Sequence, residues 1–590
     1  MKLPLNLKVP RCWDRNIVMD WPTIPPLPEG EGRGEGEAPT RTAFPVQKLL
    51  APRLIGLLLL LLAAPQARDT PLPELIPLPQ KVEARPGVFT LAPQTRIVAG
   101  KDTRDTGIYL AAQLSPATVY HFKVKTTPGD PMPPGTIFLS INTNLPGLGA
   151  EGYDLSVTPD EVTIQGTDAA GVFYGVQTLL QLLPPEIYAT NLAAGVAWQA
   201  PCVQIADQPR FKWRGLMLDV SRHFYTKLEV ERLLDLMAQQ KLNTFHWHLV
   251  DDQGWRIQIK KYPRLTDVGA WRSGVGFKLD PAATTAYGKD GRYGGFYTQK
   301  EIKQVVAYAQ SRHITIVPEI EMPGHSTAAL AAYPEYSCSG GPYSIDAVGG
   351  VFHGVYCAGN DATFVFLANV LDEVMDLFPG QYIHIGGDEV PKDNWRKCEK
   401  CQERMKVEGL KDEHELQSYF IRRIEKIVDA HGHNLIGWSE IREGGLAPSA
   451  AVMDWIGGAV EAATNGHNVV MSPTRYSYFD HYQSTNHTTE PHAIGGYLPL
   501  SQVYAFEPIP ANLPPDFAPR ILGGQANLWT EYIPNFQHVQ YMIFPRICAL
   551  SEALWSPKDA RDWTSFQQRL PAEFARFDQE GVNYRKGSSE

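Results

Sequence analysis

No stretch of this 590-residue chain is apolar for long enough to cross a bilayer. The one membrane-like run, residues 54–64, supplies about eleven residues where a spanning helix needs about twenty, so no integral membrane span is expected. Basic residues are not in excess either: Lys and Arg number 54 against 64 Asp and Glu, a formal net charge of -10. Such a balance gives no electrostatic attraction to nucleic acid or anionic lipid, and a neutral substrate suits it better. Cysteine is sparse, with seven in all. Cys398 and Cys401 make a single C-x-x-C, and the second pair at matching spacing that a zinc ribbon needs is missing, so a local disulfide is expected there. Cys338 and Cys357 bracket a glycine-rich loop and are expected to staple it, for about 3 kcal/mol.

What the chain does have is a globular composition, 43% hydrophobic and 20% charged, at a length that calls for two domains. Residues 1–67 read as leader and signal peptide. The apolar run follows Lys48 and Arg53 and precedes Pro65-Gln66-Ala67, the layout of a signal h-region, which implies export to the periplasm or medium. Residues 1–45 are too rich in Pro, Gly and Glu to build a core, so translation is expected to start nearer residues 46–50 and the mature chain near Arg68. Residues 68–208 alternate as a small α+β domain, with strands at 136–141, 153–157 and 162–164. Val172, Val176, Leu179, Leu180 and Leu183 then form one apolar helix face. No acid pair, metal cluster or phosphate loop is found in that region, and a structural role is expected.

From 209 to 590 the pattern becomes strands alternating with amphipathic helices. Candidate strands are 215–220, 243–250, 314–320, 382–385, 434–438, 451–455, 469–472 and 521–528. Eight βα units predict an α/β fold, a (β/α)8 TIM barrel, whose active site lies at the C-terminal strand ends. Polar residues gather at those ends: Arg222; His246, His248, Asp251 and Asp252; Glu319, Glu321 and His325; Asp388 and Glu389; then Trp438, Glu440, Asp454, Trp455, Tyr478, Asp480, Trp529 and Glu531. Little helix is readable after Ser472, so the sixth and seventh units are the least regular.

The run His384-Ile385-Gly386-Gly387-Asp388-Glu389 opens a short apolar strand through two glycines onto adjacent carboxylates. Flat faces from Trp438, Trp455 and Trp529 suit the C–H face of a pyranose, while carboxylates and Arg grip hydroxyls. Glycoside hydrolysis ordinarily sets two carboxyls about 5–5.5 Å apart across the sugar. Neighbours on one strand end do not face each other, so a nucleophile must come from elsewhere. Two other readings stay open on these residues: a metal-dependent hydrolase using His246 and His248 with His325, and a non-catalytic sugar-binding protein on the same barrel.

The chain resembles family 20 glycoside hydrolases, the β-N-acetylhexosaminidases. The matching pieces are 219–223 (Asp-Val-Ser-Arg-His), 246–253, 318–325 (Pro-Glu-Ile-Glu-Met-Pro-Gly-His), 384–389, 437–440 and 528–531. The resemblance implies an exo-acting retaining hydrolase of terminal β-linked N-acetylhexosamine, with no cofactor and no metal in the reaction. Its substrates would be oligosaccharides or glycoconjugates ending in that sugar, whose own 2-acetamido oxygen is the nucleophile. It implies Glu389 as acid/base, with a raised pKa, beside an ionised Asp388 that orients the acetamide. Tyr478 would donate to the acetamido oxygen, and Trp438, Trp455 and Trp529 would wall the pocket. Arg222, Glu531 and Asp480 would bind hydroxyls, and Asp251 and His325 would tune Glu389 from behind.

Overall fold

The computed structural model describes residues 72–126, 133–274, 276–277 and 290–587; the leader and signal-peptide reading of 1–67 lies outside them. Eight parallel strands close a barrel in chain order: Trp213–Asp219, Thr244–His248, Thr315–Glu319, Tyr382–His384, Asn434–Trp438, Ala451–Asp454, Val469–Met471 and Ile521–Leu528. The eighth pairs back onto the first, with Gln525 opposite Gly215. All eight candidate strands are therefore present in one sheet. The first strand is buried along its whole length, as expected of a parallel strand covered on both faces.

The outer helices follow the apolar stripes of the sequence. Lys227–Gln239 and Gln299–Gln310 each begin with a capping box, Thr226 with Glu229 and Thr298 with Glu301, which satisfies free N–H groups at the first turn. They bury Val230, Leu233, Leu234 and Met237, and Ile302, Val305, Val306 and Ala309. After the seventh strand the first helix is only Thr474–Ser477, followed by largely irregular chain. This gap in the helical ring leaves room for loops over the barrel mouth.

Ahead of the barrel lies a seven-stranded mixed sheet, ordered Lys81–Thr90, Gln199–Asp207, Tyr153–Val157, Glu161–Gly166, Thr136–Ile141, Arg96–Ala99 and Val124–Lys125. The helix Ala169–Leu182, capped by Asp168, covers it. Sheet and barrel meet at the N-terminal strand ends through a buried polar cluster. Lys241 Nζ lies 3.1 Å from Asp207 Oδ2 and donates to Tyr153 Oη at 2.9 Å. Tyr153 and the Trp555 indole also donate to Asp207, at 2.7 and 3.0 Å. Among the described residues no helix is long and apolar enough to cross a membrane.

The expected disulfides are not formed. Cys338, Cys357, Cys398 and Cys401 are not joined by disulfides, and the Cys338 and Cys357 sulfurs each lie 3.7 Å from that of Cys401, beyond disulfide bonding distance. Spacing along the chain could not reveal this, because the helix Glu399–Glu408 folds back against the base of the 338–357 loop and brings both pairs together.

Candidate active site

The fourth strand ends at His384, and the chain then turns sharply into the mouth of the barrel. Gly386 and Gly387 adopt φ of 67° and 90°, and a Cβ on Gly386 would sit 1.7 Å from the Glu321 carboxylate. Only glycine fits there. The Gly386 N–H donates to His384 Nδ1 at 3.1 Å, fixing the turn. Glu389 itself has φ of 47° and His325 has φ of 43°, strained values for residues with side chains. The turn sends the adjacent carboxylates to different places: the Asp388 side chain is 12% exposed and that of Glu389 42%.

Both line a cavity of ≈ 380 Å³ together with Arg222, His325, Trp438, Trp455, Tyr478, Asp480, Trp529 and Glu531. Of the residues to which the family resemblance gives a role, all except Asp251 thus face one pocket, whereas His246, His248, Asp252, Glu319, Glu321, Glu440 and Asp454 of the wider strand-end set do not line it. Asp251 lies behind the wall, 2.8 Å from Arg222 Nη2 and 3.2 Å from His325 Nδ1. Thr474, His481, Ile494, Gly495 and Gly496 also line the cavity and were not anticipated. They follow the seventh strand, in elements too short to show a periodic pattern: Thr474 opens the helix Thr474–Ser477, and His481 pairs with Gly495 in a small two-stranded sheet.

The aromatic walls are held by hydrogen bonds. The Trp438 indole donates to Glu319 at 2.7 Å and the Trp455 indole to Glu440 at 2.9 Å. Trp529 lies against Arg222, whose guanidinium is 5.2 Å from the ring. Among the three neighbouring tyrosines, Tyr478 stacks near Trp455 in the pocket, while Tyr476 packs on Phe506 and Tyr482 on His487. The Phe479 N–H donates to the Asn527 carbonyl at 2.8 Å, which sets the register that points Tyr478 and Asp480 inward. Under the floor, His246 and His384 lie 2.9 and 2.8 Å from Glu319, and His248 contacts it too. The two histidines of the metal-hydrolase reading therefore turn to a buried carboxylate below the pocket.

Electrostatics reverse one expectation. Burial pushes Asp388 up to about 7, with Glu440 and Glu319 adding to the rise against His325. Glu389 is instead lowered, first by its hydrogen bond with His325, against partial burial. The reason is geometric: the exposed carboxyl is the one next to an imidazolium. Burial opposes the charge on His325, but Asp251, Asp252 and Glu389 hold it well above the ordinary histidine value. His325 Nε2 stands 3.5 Å from Glu389 and 3.7 Å from Asp388, between the two. Glu321, beneath Gly386, is fully buried, and neither of its oxygens has a hydrogen-bond partner among the described residues. Burial, then Asp388 and Glu319, raise it well above the carboxylate range.

A pocket of this build can stack a pyranose, hold its hydroxyls and move a proton at one end. Models of known families agree on the chain's kinship: glycosyl hydrolase family 20, catalytic domain, matches residues 211–558, and domain 2 of the same family matches 72–208. A β-hexosaminidase of Porphyromonas gingivalis is 45% identical over 538 residues, 90% of this chain and 67% of that protein. The solved GH20 β-N-acetylhexosaminidase of Streptomyces coelicolor A3(2) superposes with a TM-score of 0.76 at 33% identity, covering 88% of this chain and 99% of its own. A GH20 exo β-N-acetylglucosaminidase of Vibrio harveyi, solved with N-acetylglucosamine, gives 0.74 at 35% identity over 87% and 78%. On fold, pocket and sequence together, the chain belongs to glycosyl hydrolase family 20.

Proposed function

We propose that the enzyme removes terminal, non-reducing β-linked N-acetylhexosamine with retention, through substrate assistance. The observation that carries this reading is the junction of Asp388 and Tyr478 with three tryptophans in one cavity, with Glu389 at its open side. The 2-acetamido oxygen attacks C1 as the glycosidic bond breaks, and Glu389 gives its proton to the leaving oxygen. Asp388 accepts the acetamido N–H and balances the positive oxazolinium, while Tyr478 donates to the acetamido oxygen. Water then opens the ring at C1, and the Glu389 carboxylate takes its proton.

The carboxyl pair enters this cycle with one proton. In the free site that proton rests on Asp388, the carboxyl with the higher affinity, and the reaction needs it on Glu389. A sugar seated against the tryptophans supplies both changes: its N–H favours Asp388 ionised, and its bulk shields Glu389 from water and favours it neutral. Arg222, Glu531 and Asp480 hold ring hydroxyls. Burial raises both Glu531 and Asp480, the latter strongly. Asp251 positions Arg222 and His325. The apolar run at 54–64 adds that this chemistry takes place outside the cytoplasm, after removal of residues up to about Ala67; N-terminal sequencing of native enzyme that retained residues 21–42 would contradict it.

Matched chromogenic β-GlcNAc, β-GalNAc and β-glucoside substrates test the reaction. The acetamido sugars are expected to turn over and the plain glucoside to be nearly inert. Comparable rates on all three would remove the acetamide from the mechanism.

A further inference from the structure

Four cysteines meet outside the pocket. Cys338 Sγ is 3.7 Å from Cys401 Sγ, and Cys357 Sγ is 3.7 Å from both Cys398 Sγ and Cys401 Sγ. All four sulfurs lie within 4.8 Å of one another, with Cys357 and Cys401 buried. Cys357 and Cys401 each have two equidistant neighbours, so no pairing is favoured. The sulfurs instead surround a shared centre. Tetrahedral zinc with bonds of about 2.3 Å to thiolate places its sulfurs about 3.8 Å apart, close to the 3.7 Å of these three contacts. The C-x-x-C at 398–401 does have a second pair, supplied through space by the two ends of the 338–357 loop.

We infer that Cys338, Cys357, Cys398 and Cys401 form a closed structural zinc site that locks this loop to the start of the helix Glu399–Glu408. With all four positions taken by sulfur it offers no open place for substrate or water, which separates it from the reaction. Its reach into the pocket is through the loop. The Val348 carbonyl accepts from Gln253 Nε2 at 3.0 Å, and Gln253 Oε1 accepts from Arg222 Nε at 2.7 Å. The Gly354 carbonyl accepts from Ser326, next to His325, and the Tyr356 carbonyl from the Trp395 indole at 2.9 Å. Zinc thus positions the backing of Arg222 and His325 from a distance, and holds two segments that no regular element joins.

The test uses full-length enzyme purified without added metal, from the compartment in which the native host keeps it, since an oxidising compartment is where disulfides would compete. Elemental analysis is expected to find one zinc per chain. Native thiol titration should leave the four cysteines unreactive until a mercurial releases the metal. Replacement by cobalt should give the absorption of tetrahedral cobalt–thiolate, a readout independent of activity. Cys338→Ser should lose the metal, and Cys202→Ser, in the N-terminal sheet, should keep it; if Cys338→Ser does not fold, the cobalt spectrum of the wild type decides. Removing zinc should lower Tm and raise KM more than it lowers kcat. A metal-free protein whose mass is lighter by the four thiol hydrogens, or one with four freely titrating thiols, would overturn the site, and stoichiometric iron or copper in its place would overturn the assignment to zinc.

Discussion

The two mouths of the barrel each bury a polar cluster, built from the same kinds of residue. At the N-terminal mouth Asp207 is met by Lys241, Tyr153, the Trp555 indole and the N–H of Gln80, and none of these side chains leaves a buried polar atom without a partner. At the C-terminal mouth Oδ1 of Asp388 and Oδ1 of Asp480, both in residues that line the pocket, are buried without one among the described residues, as are both oxygens of Glu321 beneath it. Unpaired buried groups cost about 1–3 kcal/mol each, so a fold retains them only where something else depends on them. The satisfied cluster joins domains. The unsatisfied one is shaped to a ligand that brings its own donors and acceptors.

The largest expected effects separate the adjacent acids of the unsatisfied cluster. Glu389→Gln should cut turnover of substrates with poor leaving groups by ~10²–10⁴-fold and spare activated aryl substrates, which need little protonation. Asp388→Asn should slow both kinds, because the acetamide is no longer held for attack. Steady-state kinetics across a leaving-group series checks this, and equal slopes for the two variants would merge their roles. On the satisfied cluster the outcome should invert. Lys241→Met leaves Asp207 buried beside an apolar chain and is expected to cost about 3–5 kcal/mol in denaturant unfolding, with kcat unchanged in the folded enzyme. A loss of kcat without a loss of stability would couple the two mouths.

A smaller effect concerns pH. The free pair works with one proton: above about 7 Asp388 loses it, and below the ordinary glutamate range Glu389 takes a second. The profile of kcat/KM should therefore fall on the basic side near 7, and on the acid side below the usual carboxylate range. In Asp388→Asn the remaining proton must sit on Glu389, whose affinity is lower, so the basic limb should move to lower pH. A basic limb unmoved by that substitution would assign it to another group.

The barrel was readable because its strands are short apolar runs, buried on both faces, between helices with clear stripes. The pocket was readable because the fold dictates where strand ends go, and aromatic and acidic residues recur at each of them. Two things were not. The order of proton affinity in Asp388 and Glu389 depends on a left-handed turn that buries one side chain and exposes its neighbour, which residue types alone do not encode. The cysteine cluster depends on loop ends and a helix start far apart in the chain, so spacing showed two separate pairs where the fold brings four sulfurs together. Ile494, Gly495 and Gly496 reach the pocket at the start of a three-residue strand, too short to carry a periodic signal.

Substrate assistance makes one demand that can be measured without turnover. A thiazoline analogue of the oxazolinium intermediate, titrated calorimetrically, should bind wild-type enzyme at least ~10²-fold more tightly than substrate does, as a mimic of the reacting state. It should bind Asp388→Asn much more weakly. Weak binding to the wild type, or equal binding to both proteins, would contradict the proposal that the acetamide is the nucleophile and Asp388 its partner.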